Sequence, residues 1–325
     1  MLFNAEAPGM THDKLKPRIE DTAKRLWAIY VILTFILAAL LWAGPMSFFD
    51  AICHSFTALA TGGFGTKNAS IGYFHSAYIE YVMAIFLFIA GTNFNLLYFC
   101  SHGRYSKLFK DAEFRFYTLW ALIITLIVAT GLYLHQTFNT AEACFRNAFF
   151  NVMSLLSTCG YGNTDYVQWG GFYWYIFIII MIFGASSGST SGAMKIVRLR
   201  VIITATRNEF QKILHPNMVT AVRLNNNAIR IEILAKTLVF AFMYFSILFA
   251  GSVVLTAFGS SFDEAIGSVT SCLGGVGPGL GLTGPVGNYA HLHPVAKWIL
   301  SFLMIAGRLE LFTFLVIFTP DFWRR

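Results

Sequence analysis

Charge is scarce in this sequence. Asp, Glu, Lys and Arg make up 12% of its 325 residues, where an ordinary soluble domain carries about 25%. With 56% hydrophobic residues and a mean hydropathy of +0.61, there is too little polar surface to coat a water-soluble particle, which excludes the soluble globular classes. Period-two alternation is also missing. The apolar stretches run about 20 residues without it, which excludes a transmembrane barrel and leaves membrane-crossing helices. The five cysteines, Cys53, Cys100, Cys144, Cys159 and Cys272, are scattered and odd in number, so neither a disulfide framework nor a metal cluster follows. Met1 to Lys24 mixes charge signs, carries Pro8 and Pro17 and lacks an apolar centre, so it does not read as a cleavable signal peptide. No His/Glu metal motif, Ser/His pair or facing intramembrane carboxylates stand out, and a non-enzyme is expected.

What is present is a repeat. A long apolar run (Leu26 to Met46), a shorter one (Phe48 to Ala60), a Gly/Thr turn and a second long run (Phe74 to Cys100) are followed by the same sequence of parts. It returns as Phe116–Leu134, Phe145–Thr158 and Phe172 to about Arg198, and again as Ile231–Phe258, Phe262–Cys272 and Pro294–Phe318. The period is about 100 residues. The expected division is an N-terminal segment 1–25, units 26–100, 116–204 and 231–319, connecting loops 101–115 and 205–230, and a tail 320–325. The short runs cannot cross the hydrocarbon and read as re-entrant half-helices. Aligned on Asp50, Asn147 and Glu264, they place a glycine thirteen positions on, at Gly63, Gly160 and Gly277, and another at Gly65, Gly162 and Gly279. Irregular backbone at membrane depth is tolerated only beside protein or a wet cavity, so the three turns are expected to line one axis.

Nineteen of the 23 Lys and Arg fall on the side opposite these turns, which by the positive-inside rule makes both termini and the basic loops cytoplasmic. The basic excess is therefore topogenic, and nucleic acid is not an expected partner. On the outer side, Asp50, Glu142, Asp165, Asp263 and Glu264 outnumber Lys67, Arg146 and Lys297. These acids either favour cations at an outer mouth or cap the short helices.

The second turn reads Thr158, Cys159, Gly160, Tyr161, Gly162, one substitution from the threonine, valine, glycine, tyrosine, glycine run of potassium-channel filters. The first reads Thr61, Gly62, Gly63, Phe64, Gly65, and the third, Gly274, Gly275, Val276, Gly277, Pro278, Gly279, lacks the aromatic. Glycine admits backbone angles closed to residues with a Cβ, so successive carbonyls can face an ion and replace its hydration shell. Gly279, Gly281 and Gly284 also fit the G-x-G-x-x-G spacing, but no βαβ unit surrounds them, so no nucleotide site is expected in this chain.

With these turns go Ala60–Phe74 (ATGGFGTKNASIGYF), Gly184–Arg198 (GASSGSTSGAMKIVR), His215–Leu224 (HPNMVTAVRL), Ser271–Gly281 and Gly307–Trp323 (GRLELFTFLVIFTPDFW). Through them the chain resembles the Trk/Ktr/HKT superfamily of potassium transporters, and closely its Trk-type uptake subunits, over essentially its whole length. The resemblance implies an all-α polytopic fold of tandem membrane helix, pore loop, membrane helix units arranged pseudo-fourfold around one path. It implies a homodimer in the bacterial inner membrane, lipid contact and a cytoplasmic nucleotide-binding regulatory subunit. Potassium is the ion carried, and no organic cofactor is expected. The implied filter residues are Thr61, Gly62, Gly63, Phe64, Thr158, Cys159, Gly160, Tyr161, Gly275, Val276 and Gly277.

The segment Gly184, Ala185, Ser186, Ser187, Gly188, Ser189, Thr190, Ser191, Gly192 is too small and polar for a lipid-facing helix. It reads either as a close helix contact through Gly188 and Gly192 or, by the resemblance, as an intramembrane gating loop in which Gly184, Ser186, Ser187, Gly188, Ser189, Thr190 and Gly192 take part. Arg308 lies deep in the last apolar run, where a cation needs a partner or a wet cavity. Pairing with Glu310 and snorkelling are open to it, and the resemblance implies a pore-facing role beneath the filter. The family has four units and this sequence shows three, with Met1 falling where the first and second units would be joined. Three loops do not close a fourfold ring, so these residues alone are expected not to conduct selectively; the alternative function is a non-conducting fragment or partner that needs a separate first repeat.

Overall fold

A computed structural model describes residues 19–325, apart from Val219, Asn226, Glu310 and Arg325. Most of the expected 1–25 segment, and the Arg308–Glu310 pairing, fall outside the described residues. The fold is all-α, interrupted by a two-residue hairpin, β1 (Arg223–Leu224) against β2 (Asn227–Ala228). In chain order the helices of the first unit are α1 (Ile19–Ala43), α2 (Phe48–Leu59), α3 (Ala77–Ala90) and α4 (Phe94–Ser101). After the short α5 (Tyr105–Lys110) come α6 (Ala112–Leu134), α7 (Ala141–Leu156), α8 (Gly171–Ile182) and α9 (Ile196–Leu214). The last group is α10 (Ile231–Ala257), α11 (Phe262–Gly274), α12 (Pro294–Arg308), α13 (Leu311–Leu315) and α14 (Pro320–Trp323).

Among the described residues three helices, within Ala23–Ala43, Ala112–Leu134 and Ile231–Ala257, are long and apolar enough to cross a membrane, and two bent pairs would make five. Each long helix packs on a short one: α1 on α2, α6 on α7 and α10 on α11. The short helices have 12, 16 and 13 residues; at about 1.5 Å per residue they fall short of a hydrocarbon layer of about 30 Å. Two of them start on hydroxyl caps. Ser47 Oγ accepts from the Asp50 N–H (3.1 Å) and Thr140 Oγ1 from the Ala143 N–H (3.1 Å), satisfying donors that have no partner inside the helix.

The exterior is apolar as well as the core. Along α10, Thr237, Tyr244, Gly251 and Ser252 are buried, whereas Leu238, Phe242, Phe245, Phe249 and Val253 are exposed at helical spacing. Such a stripe is a liability in water and a lipid-facing surface in a bilayer. Close contacts inside use small residues: a Cβ at Gly251 would lie 3.1 Å from Val269 Cγ1 and 3.3 Å from Leu303 Cδ1, which lets α10, α11 and α12 approach.

The second long run of the first unit is not one helix. It breaks at Gly91–Asn93 with a bend of 104° between α3 and α4. The reason is local: Thr92 Oγ1 bonds back to the Phe88 carbonyl (3.0 Å), and Asn93 Oδ1 accepts from the Asn95 N–H (2.9 Å), starting a new helix. The last run also bends, by 115°, between α12 and the segment Leu311–Phe318.

Candidate ion path

The three short helices end in turns with one backbone signature. Counting from Asp50, Asn147 and Glu264, the residues eleven on are Thr61 (φ +52°), Thr158 (φ +58°) and Gly275 (φ +67°). Those thirteen on are Gly63 (φ +69°), Gly160 (φ +82°) and Gly277 (φ +111°). The residues between, Gly62, Cys159 and Val276, are not left-handed. Glycine accounts for four of the six left-handed positions; the other two are β-branched threonines, which the glycine argument alone does not anticipate. A β-branched residue at positive φ is strained by about 1–3 kcal/mol.

The turns touch in series. A Cβ on Gly63 would sit 1.9 Å from the Cys159 carbonyl oxygen, and one on Gly160 would sit 1.9 Å from that of Val276. Gly277 has the matching conformation but nothing within 4 Å of its ideal Cβ. The middle turn is enclosed, with Cys159 and Tyr161 buried, while the Phe64 side chain of the first turn is 76% exposed. Tyr161 reaches behind turn 1: its hydroxyl contacts the Thr57 hydroxyl and lies 3.2 Å from the Phe64 carbonyl. In the third turn a tyrosine arrives from further along the chain, and Tyr289 donates its hydroxyl to the Gly277 carbonyl at 2.7 Å.

Residues 183–195 form a loop against the turns. Its ends meet through Gly184 N–H to the Met194 carbonyl (3.0 Å) and Met194 N–H to the Ile182 carbonyl (3.1 Å). Thr61 donates its hydroxyl to the Thr190 carbonyl (3.0 Å), Thr190 donates its own to the Leu59 carbonyl (3.0 Å), and the Gly192 N–H donates to Thr158 Oγ1 (2.7 Å). Both strained threonines are thus tied to the loop. Gly184 and Gly192 are held by close approach, since Cβ atoms there would lie 2.7 Å from the Gly192 carbonyl oxygen and 2.3 Å from that of Gly274. Ser189 donates to the Ser186 carbonyl at 2.6 Å.

The other edge of the loop is stitched to the α3/α4 break. The Ser186 N–H donates to the Gly91 carbonyl (3.0 Å) and the Phe94 N–H to the Gly188 carbonyl (3.1 Å). Gly188 (φ +72°) lies so near Asn93 that a Cβ would fall 2.9 Å from its Oδ1. Ser187 donates its N–H and hydroxyl to the two carboxylate oxygens of buried Glu113, at 2.5 and 2.6 Å. Arg308 is exposed and donates from Nη1 to the Thr190 carbonyl at 2.8 Å, so its guanidinium reaches the loop. Lys195 is buried and bonds to Ser191.

Several acids expected at the outer mouth are engaged. Asp50 accepts from the Ser47 and Thr66 hydroxyls; Thr66 above all, with Ser47, Lys67 and His54, holds its carboxyl below the ordinary value, against the opposing effect of burial. Glu264 pairs with His291, Glu142 with Arg146 at 2.8 Å, and Asp165 accepts from the Val167 N–H. Glu80, which hydropathy passes over, is buried and pairs with Arg146 at 2.5 Å. Glu80, Glu113 and Tyr289 meet partners many residues distant, which no local pattern reveals.

Residues 4–325 match the family model described as TrkH, cation transport protein. The chain belongs to the TrkH family. Among TrkH-family relatives, the Trk system potassium uptake protein TrkH of Salmonella typhimurium is 39% identical over 325 residues, covering 99% of this chain and 67% of that protein. The Trk system potassium uptake protein TrkG of Escherichia coli is 30% identical over 327 residues, covering 99% of this chain and 66% of that protein. The crystal structure of the potassium transporter TrkH from Vibrio parahaemolyticus superimposes with a TM-score of 0.90 at 32% identity, covering 99% of this chain and 69% of that one. The TrkH-family fold is therefore that of a polytopic membrane protein, and the chain spans about two thirds of the length of these relatives.

Proposed function

We propose that the chain moves potassium ions across the cytoplasmic membrane along a path past its three glycine turns, as the ion-translocating subunit of a Trk-type system. The observation that carries this reading is the matched left-handed backbone at three equivalent pairs of positions, in turns that touch one another in series. Carbonyls of Thr61, Gly62, Gly63, Phe64, Thr158, Cys159, Gly160, Tyr161, Gly275 and Val276 then take the place of the ion's hydration shell. The Gly277 carbonyl serves while also accepting from Tyr289. The relatives' names, potassium uptake proteins, support the choice of ion.

The loop bearing Gly184, Ser186, Ser187, Gly188, Ser189, Thr190 and Gly192 acts as the gate beneath the turns, and Arg308 places a positive charge there that opposes cation exit. Its contacts with Thr61, Thr158 and Arg308 support this. The termini and basic loops face the cytoplasm. Exposed Arg207, Lys212, Arg223 and Arg230 offer a surface for a nucleotide-binding regulatory subunit, and the assembly is a homodimer.

Gly63 and Gly160 each pack on the next turn, and Gly277 faces free space; a fourth turn seated there completes the ring. The test is rubidium uptake in a potassium-transport-deficient bacterium, with the chain expressed alone and fused to a fourth membrane–pore–membrane unit. Uptake by either form supports the reading. Uptake by neither, with both forms in the membrane, overturns it in favour of a non-conducting partner.

A further inference from the structure

The buried polar residues of the first two short helices are not scattered. In the first unit, Asp50 accepts from the hydroxyl of Thr66, sixteen residues on, at 2.5 Å. In the second, Asn147 Oδ1 accepts from Nδ2 of Asn163, again sixteen residues on, at 2.7 Å. Each bond crosses from the N-terminal half of a short helix, the first turn at Asp50 and the second at Asn147, to the chain just beyond its glycine turn, closing the turn from behind. Four residues after each anchor comes a second buried polar side chain, His54 or Asn151. His54 Nδ1–H donates to the Asp50 carbonyl (2.7 Å), and Asn151 Nδ2 donates to the Asn147 carbonyl (2.9 Å) and to Asn163 Oδ1 (2.8 Å). The two closures also meet. The Ile71 N–H donates to the Gly162 carbonyl (3.1 Å), and a Cβ on Gly72 would fall 2.6 Å from the Asn163 carbonyl oxygen. The third unit departs from the pattern: Glu264 pairs with His291, and Ser268 with Thr283 at 2.9 Å.

We propose that Asp50–Thr66 and Asn147–Asn163 are matched braces that fix the outer ends of turns 1 and 2, and that they are positioning residues for ion discrimination. The second part rests on the filter reading above. The anchors have different chemistry in one geometry, a carboxylate in one unit and an amide in the other, so the shared property is an acceptor oxygen and not a charge. A brace is needed because the turns hold left-handed residues, and a strained backbone persists only where its surroundings over-determine it.

The test uses the full chain, in the form that transports, with Cys159 as the remaining cysteine. Buried Cys159 sits in turn 2, so its maleimide labelling reports the turn independently of transport. Asn147→Ala is expected to speed labelling and lower the rubidium-to-sodium uptake ratio, each about fivefold, the worth of a buried hydrogen bond. Asn147→Asp, which keeps the acceptor for Asn163 but gives up the Nδ2 donor to the Ala143 carbonyl (2.9 Å), lies nearer the native values than Asn147→Ala in both readouts. Asp50→Ala lowers the ratio and Asp50→Asn retains it. Asn163→Ala repeats the turn 2 test from the loop side should Asn147→Ala not reach the membrane. Native labelling and native ratio in the alanine variants overturn the proposal, and a ratio already lost in Asp50→Asn overturns it for the first unit in favour of charge. If Asn147→Ala speeds labelling while both it and Gly277→Ser leave the ratio native, the filter reading fails and the discrimination role with it, the brace of turn 2 standing alone.

Discussion

Thr61 and Thr158 hold a conformation that costs each about 1–3 kcal/mol, more than the roughly 0.5–1.5 kcal/mol that one hydrogen bond returns. Their hydroxyls therefore do not compensate the strain alone; the close packing of turn on turn and turn on loop does the rest. Thr158→Ala leaves the buried Gly192 N–H without its acceptor and is expected to destabilise the protein by about 1–3 kcal/mol, whereas Thr158→Ser remains close to native; thermal unfolding in detergent distinguishes them. Arg308→Ala removes the guanidinium from the Thr190 carbonyl, which keeps its bond from Thr61; under the proposed gate, passive potassium leak should rise severalfold in vesicles. Unchanged leak at equal expression contradicts that role. The glycines of the turns are legible in the sequence because their spacing from each short helix repeats. The threonine strain is not, since nothing in composition marks a β-branched residue as left-handed.

The loop 183–195 is one element with two attachments, turns on one edge and the α3/α4 break on the other. Glu113 sits at the second attachment, holding both donors of Ser187. Glu113→Ala should release that edge while leaving the turns in place, giving faster protease cleavage within 183–195 and a higher resting flux; native cleavage argues that the stitches to Gly91 and Phe94 suffice. Its small, polar residues make this loop legible in the sequence. The bend between α3 and α4 is not, because the apolar run continues through it as Phe94, Leu96, Leu97 and Tyr98, and hydropathy registers composition rather than direction. Gly91, Thr92 and Asn93 are the available signal, Asn93 being a cap for the helix that follows.

Over the whole molecule, the apolar face of α10 suits a bilayer, and the asymmetry of Lys and Arg is the ground for the proposal that the turns face the outside. A cysteine introduced at exposed Asn288, in a chain lacking its own five, should react with an impermeant thiol reagent in intact cells, and one at exposed Arg207 only after permeabilisation. The reverse pattern inverts the topology. The fold is legible in outline because a repeat announces itself three times; its closure is not, because the contacts of Gly63 with Cys159 and of Gly160 with Val276 join residues about a hundred positions apart. Gly277 gives the most direct test of whether these turns discriminate among ions. No neighbour lies at its Cβ position and its φ is +111°, so Gly277→Ser meets no neighbouring atom and acts by straining the backbone of the turn itself. The decisive measurement is the rubidium-to-sodium uptake ratio of Gly277→Ser beside the native chain at matched membrane levels. A ratio lowered about tenfold, equivalent to about 1.4 kcal/mol, is the result expected of a carbonyl-lined path, and a native ratio would contradict it.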